Sequence, residues 1–240
     1  MDTHASGLEI LRRDNPWPGE IPDFPVTSWG WGIDGEKLLL SRLPADARCI
    51  LEIGTLLGAS TRFFADARPD ATVICIDPWN DSKDRPLLRY QPELTPYLND
   101  RPDGLYNVFL ASTWDYRERV IPLRGYSPER LRDVYDAGLK PDFVYVDGSH
   151  EYEDVLVDLT TCHLLFEEAV LCGDDWSWAS VSRAVDFFAR MRGFEIVTEG
   201  KTFTLKATTA SARIETPPPR QHSFQRLLGS LRSLVARSFR

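Results

Sequence analysis

The stretch DFVYVDGSHEYEDVLVDL, residues 142–159, is an apolar run that stops on Asp147, turns through Gly148 and continues as a helix. Further on, EEAVLCGDDW, residues 167–176, repeats the device and ends on two adjacent carboxylates, Asp174 and Asp175. Removing unpaired carboxylates from water costs several kcal/mol each. Three acids and His150 at the ends of two neighbouring apolar runs therefore imply a compensating charge.

The rest of the chain repeats the alternation. RCILEIG, TVICID and RVIPLRG precede these two runs, and helix-like segments separate them: ASTRFFADA, SPERLRDVYDAG, EYEDVLVDLTTCHLLF and WASVSRAVDFFARMR. Strands that are apolar on both faces and alternate with helices predict an α/β fold, a mostly parallel sheet covered on both sides. FEIVTEG and TFTLKAT, joined at Gly200, read as a closing antiparallel hairpin. In such sheets ligands gather beyond the carboxyl ends of the strands, where all three acids fall.

At 240 residues, with 42% apolar and 27% charged residues, the chain is expected to be one soluble globular domain with additions. No apolar run approaches the ~18–20 residues of a membrane span. The N-terminus has no basic start followed by an apolar core, so no secretory signal is expected, and the location predicted is cytoplasmic. The four cysteines form no CxxC pair and read as small buried hydrophobes. Six arginines and one glutamate fall in residues 207–240, so the net −8 of the chain divides into +5 there and −13 on residues 1–206. An acidic body argues against nucleic acid as partner.

The organisation expected is an N-terminal extension (1–45) rich in Pro and Trp, a main domain (46–207) with an insert (78–113), a linker (208–222) and a C-terminal helix (223–240). That last segment places Phe224, Leu227, Leu228, Leu231, Leu234 and Val235 at helical spacing, with arginines opposite. A basic amphipathic helix can lie on a membrane surface, but packing on the acidic body or on a second subunit of a homo-oligomer is favoured. Trp29 and Trp31 either close over a ligand or pack the extension down.

Two other places carry chemistry. ILEIGTLLGAST puts Gly54 and Gly58 four apart between a strand and a helix, so a ligand can approach the backbone and the helix N-terminus. The spacing is not G-x-G-x-x-G, which counts against a nicotinamide cofactor and an oxidoreductase. Asp77 ends the next strand, a position that suits the two hydroxyls of a ribose, or a capping aspartate before Pro78. Ser127, before Pro128, reads as a helix N-cap that can also meet an adenine edge. For Asp147, Asp174 and Asp175, the hard oxygen set suits Mg²⁺ or a similar divalent ion.

ILEIGTLLGAST, ICIDPW, RGYSPERL, VYVDGSHEYEDV and VLCGDDW, in that order, resemble the class I S-adenosylmethionine-dependent methyltransferases. Within these the motifs look most like the bacterial macrocin-type sugar O-methyltransferases, similar to catechol O-methyltransferase. The resemblance covers roughly residues 30–206 and implies a Rossmann-like, mostly parallel seven-stranded sheet. It implies that Glu52, Gly54, Thr55, Gly58, Ser60, Asp77, Ser127 and Asp147 face S-adenosylmethionine. It also implies that Asp147, Asp174 and Asp175 bind Mg²⁺. His150 stands where catechol O-methyltransferase has its catalytic lysine; either His150 or Asp147 is then the base, or His150 orients the cofactor side. The activity implied is metal-assisted O-methylation of a small molecule with vicinal oxygens, a sugar or a catechol-like acceptor. A metal-independent methyltransferase and a non-catalytic cofactor-binding subunit are the alternatives.

Overall fold

The computed structural model describes residues 3–28, 33–80, 92–100 and 103–207. The tryptophans at 29 and 31, much of the first half of the expected insert, the linker and the C-terminal helix lie outside the described residues. In chain order the elements are α1 (Thr3–Asp14), α2 (Glu36–Arg42), β1 (Cys49–Ile53), α3 (Ala59–Ala67) and β2 (Thr72–Asp77). Then come α4 (Thr95–Asp100), α5 (Gly104–Ser112), a 3₁₀ turn (Trp114–Tyr116), β3 (Val120–Arg124), α6 (Ser127–Asp136) and β4 (Phe143–Val146). The chain continues through α7 (Tyr152–Leu165), β5 (Val170–Gly173), α8 (Ala179–Arg192), β6 (Phe194–Glu199) and β7 (Thr202–Ala207).

The seven strands form one sheet in the order β3-β2-β1-β4-β5-β7-β6. β1 to β5 pair in parallel, and β7 runs antiparallel between β5 and β6. This is the mostly parallel seven-stranded, Rossmann-like sheet that the resemblance implies, and its order reverses between β1 and β4, the switch point at whose strand ends such sheets have their ligand crevice. β1 and β4 are buried along their whole length, as double-faced apolar strands require.

Alternate residues of β1 to β5 feed two cores. Cys49, Leu51 and Ile53 of β1 pack with α6, α7 and α8; Ile50 packs with α2, α3 and α5 on the other face. The expected extension is part of both cores. Leu11 of α1 is buried against the first, and Leu39 and Leu43 against the second. The later part of the expected insert is likewise core, since Leu105, Val108 and Phe109 of α5 are buried. All four cysteines are buried free thiols. Among the described residues no helix is long and apolar enough to cross a membrane.

Candidate active site

At the carboxyl end of β1 the chain leaves through Gly54 with φ +85°. A Cβ there would lie 2.0 Å from the Asp147 carbonyl oxygen, so glycine is required by the close passage of the β4 turn. Gly58, at φ +81°, precedes α3, and a Cβ on it would meet the Thr113 side chain at 2.5 Å. Both glycines thus serve the packing of the chain around the turn.

Asp77, at the end of β2, holds this turn together. Its Oδ2 accepts from the amides of Thr55 (3.0 Å) and Leu56 (2.9 Å), and its Oδ1 from the amide of Trp79 (2.6 Å). The Trp79 indole closes the loop by donating to the Leu56 carbonyl at 2.7 Å. Burial raises the Asp77 carboxyl above its ordinary range, and the three amides oppose that shift. Of the two sequence readings of Asp77, the capping one is built in full here. Any ribose must share the lone pairs left over.

Glu52 lies under the same turn, buried on the α3 face. Ser60 donates to its Oε1, and Thr61 to its Oε2 at 2.6 Å. Burial pushes the Glu52 carboxyl up to about 7 against those hydroxyls. Ser60 therefore spends its proton on Glu52. Thr55 differs: its hydroxyl oxygen is buried and has no hydrogen-bond partner among the described residues. A buried hydroxyl without a partner calls for an explanation, and a ligand atom at the strand–helix turn would be one.

Across the crevice, Asp147 follows β4, with its amide donating to the Ile53 carbonyl (2.8 Å). His150 sits in the short loop before α7, a loop braced by Ser149, whose hydroxyl donates to Asp154 (2.8 Å) and accepts the Glu151 amide (3.2 Å). Asp175 follows β5 with a left-handed backbone, φ +58°. Its Oδ2 lies 2.6 Å from His150 Nε2, and the His150 ring stacks on Trp178 with centroids 4.6 Å apart. Asp147, His150 and Asp175 bring one ligand atom each within 4.8 Å of one another.

Asp174 stands differently. It is buried, and Thr202 Oγ1 lies 3.4 Å from its Oδ1. The sequence grouped it with Asp147 and Asp175, but in the converging set its place is taken by His150. It still helps to line the recess at the centre of the cluster, about 10 Å³, the room of one water molecule or one small ion. Burial, then repulsion from Asp174 and Asp175, raises Asp147 well above the usual carboxylate range. Burial also raises Asp174. His150 is raised, first by its hydrogen bond to Asp175.

A family model described as a methyltransferase domain matches residues 51–176, more than half of the chain and the whole span from the glycine turn to the acid pair Asp174–Asp175. The chain belongs to this methyltransferase family. No curated protein sequence matches it. Solved structures that share the methyltransferase fold are distant in sequence. A precorrin-6y C5,15-methyltransferase from Geobacter metallireducens has 15% identity over 78% of this chain and 95% of its own, with a TM-score of 0.53. A Staphylococcus aureus protein assigned as a caffeoyl-CoA O-methyltransferase has 16% identity over 83% and 92%, with a TM-score of 0.51. Cofactor-bound Rv0187 from MTB has 19% identity over 84% and 88%, with a TM-score of 0.50.

Two features of this methyltransferase escaped the sequence. Ser127 is the first residue of α6 rather than its cap, which is Tyr126, and its hydroxyl donates to Asp158 of α7. Burial raises Asp158 to about 7. The signal was a lone acid inside the apolar run VLVDL, which only a buried partner explains. Trp178 as the face covering His150 is the second, and the run WSW directly after Asp175 was its only local signal. Trp176 instead turns toward Phe203, ring centroids 6.4 Å apart.

Proposed function

We propose that the protein is an S-adenosylmethionine-dependent O-methyltransferase, acting on a hydroxyl of a small molecule with neighbouring oxygens, a sugar diol being the first class to try. We place Asp147 and Asp175, with His150 or Asp174, around a divalent ion of the Mg²⁺ kind. The observation that carries this reading is the convergence of Asp147, His150 and Asp175 on an ion-sized recess. The recess opens across a crevice from a glycine turn with an unpartnered Thr55 hydroxyl.

The residues present fit both groups. Carboxylate oxygens and one imidazole suit a hard or borderline divalent ion. When bound, that ion acidifies the oxygen it touches and fixes two neighbouring oxygens of an acceptor. S-adenosylmethionine, when bound, supplies an electrophilic methyl on a sulfonium. Thr55, with Asp77 and Glu52 stiffening the loop beneath it, would receive the cofactor on the β1–β2 side, and Ser127 would meet its adenine end.

Where Asp174 completes the ion's ligands, His150 is free to be the base. Asp175 holds the Nε2 side of the ring, so in the neutral imidazole Nδ1 is the nitrogen left to take the acceptor proton. Asp147 is the poorer candidate, because its carboxylate would be committed to the ion. Trp178, about half exposed and stacked on the ring, offers a flat face for an acceptor.

The test is calorimetric titration of S-adenosylmethionine into the protein with and without Mg²⁺, followed by a methyl-transfer screen over sugar diols and catechols. Cofactor binding in the micromolar range, with turnover that needs the ion, upholds the proposal. No cofactor binding in either condition ends it.

A further inference from the structure

A groove of about 420 Å³ lies far from these acids, where the chain between α1 and α2 passes the edge strand β3. Arg12, Trp17, Trp114, Arg117, Glu118 and Val120 are among the residues that line it. Val120 opens β3, so the groove sits by the amino ends of the strands, whereas Asp147 and Asp175 follow the carboxyl ends of β4 and β5. Its volume falls in the range of small-molecule pockets, roughly 300–1,000 Å³.

The walls are fastened by their own contacts. Trp17 Nε1 donates to the Val120 carbonyl at 2.9 Å, and the Trp17 and Trp114 rings meet edge to face at 5.9 Å. The Arg117 guanidinium lies 5.0 Å from the Trp114 ring centre, donates to the Trp114 carbonyl (3.1 Å) and approaches Glu118 at 3.7 Å. Arg12 is the exception. Its neighbour Arg13 is paired with Asp14, but Arg12, half-buried, has no hydrogen bond or ion pair among the described residues. Burial lowers its pKa, and only the more distant charge of Glu118 opposes that. A guanidinium stays charged in a protein, so a half-buried one without a partner calls for an anion.

We infer that this groove is a second binding site, separate from the methyl-transfer site, for a small organic anion with a flat aromatic body, of which an aromatic carboxylate is the simplest case. Arg12 meets the carboxylate through charge-assisted hydrogen bonds, and the edges and faces of Trp17 and Trp114 take the ring. Two arginines against one glutamate make the groove positive, on a stretch of chain, residues 1–206, that carries −13. That contrast selects anions over the cations the rest of the surface attracts.

Calorimetric titration of 2-naphthoate into the full chain, followed in parallel by tryptophan fluorescence, tests this. Saturable 1:1 binding is expected in the presence of saturating S-adenosylhomocysteine as well as in its absence. Arg12→Gln should weaken it at least ~10-fold, the loss of a charge-assisted hydrogen bond. Arg12→Lys should keep part of the affinity, and the neutral 2-naphthalenemethanol should bind at least ~10-fold less tightly to the unaltered chain. The site is overturned by absence of saturable naphthoate binding, by equal affinity for the neutral analogue, by equal binding to Arg12→Gln, or by displacement with S-adenosylhomocysteine. If Arg12→Gln does not fold, the comparison of naphthoate with its neutral analogue decides alone. Failure of the methyltransferase proposal shows up separately, as absent cofactor binding, and leaves this result standing.

Discussion

The two sides of the crevice carry similar numbers of acids on opposite terms. Beyond β1 and β2, Asp77 is met by three backbone amides and Glu52 by two hydroxyls. Beyond β4 and β5, Asp147 has no hydrogen-bond donor among the described residues and faces the charges of Asp174 and Asp175. One side is a finished scaffold; the other is an electrostatic debt that a cation can cancel. The difference locates function better than acid content does, because a carboxylate already saturated by its own chain has little left to offer a ligand.

Breaking the scaffold side should have the largest effect. Gly54→Ala would force a Cβ to within 2.0 Å of the Asp147 carbonyl oxygen at a φ of +85°. We expect a loss of at least ~3 kcal/mol of stability, or failure to fold, read by urea denaturation. Asp77→Ala leaves three amides without their acceptor, and should lose about 3 kcal/mol together with cofactor affinity. A stable Asp77→Ala protein would mean that the loop is held by Trp79 alone.

The uncompensated side should respond in the contrary sense. Asp147→Asn keeps the shape and removes one of three crowded acids. Methyl transfer should fall by ~10³-fold or more, while the ion-free protein gains about 1 kcal/mol. In the unaltered protein a divalent ion at 100 times its dissociation constant should add ~2.7 kcal/mol, reversed by a chelator, and Asp147→Asn should lose that gain. If Asp147→Asn instead destabilises the ion-free chain, the acids are structural, and the contrast between the two sides collapses.

Much of this arrangement was legible from residues alone, for identifiable reasons. Strands apolar on both faces announce a covered parallel sheet, so β1 to β5 and the closing hairpin fall where the sequence places them. Asp147 and Asp175 were visible because acids that end apolar strands have few structural excuses. Which of two adjacent acids would face His150 was not visible. That choice rests on the left-handed backbone of Asp175 and on Thr202, which approaches Asp174 from β7. Ser127 was read from its local sequence as a cap, whereas its actual partner, Asp158, stands on the next helix. The extension from residue 1 to 45 looked detachable because its Pro and Trp content hides the few apolar positions, Leu11 and Leu39 among them, that anchor it. Long-range pairings of single side chains are what periodicity and motif spacing do not encode.

Asp158 offers the smallest and most selective test, because it is a buried acid on neither side of the crevice's charge balance. Its one hydrogen bond comes from Ser127, and burial raises it from the ordinary 3.8 to about 7. Between those values the folded chain holds a proton that the unfolded chain has released, so stability falls as pH rises through that window and levels off above it. From pH 5.5 to pH 8 the loss due to this one group should be about 2 kcal/mol, at ~1.4 kcal/mol per unit. Glu52, also raised to about 7, adds a slope of the same sign. Asp158→Asn imitates the protonated acid at every pH. It should therefore match the unaltered protein near pH 5.5, exceed its stability near pH 8, and keep the part of the slope that belongs to Glu52 and the other raised groups. Urea denaturation at the two pH values measures this directly. Parallel pH profiles for the two proteins would show that Asp158 is ionised throughout, and that water or a neighbouring group supplies what its single hydroxyl partner does not.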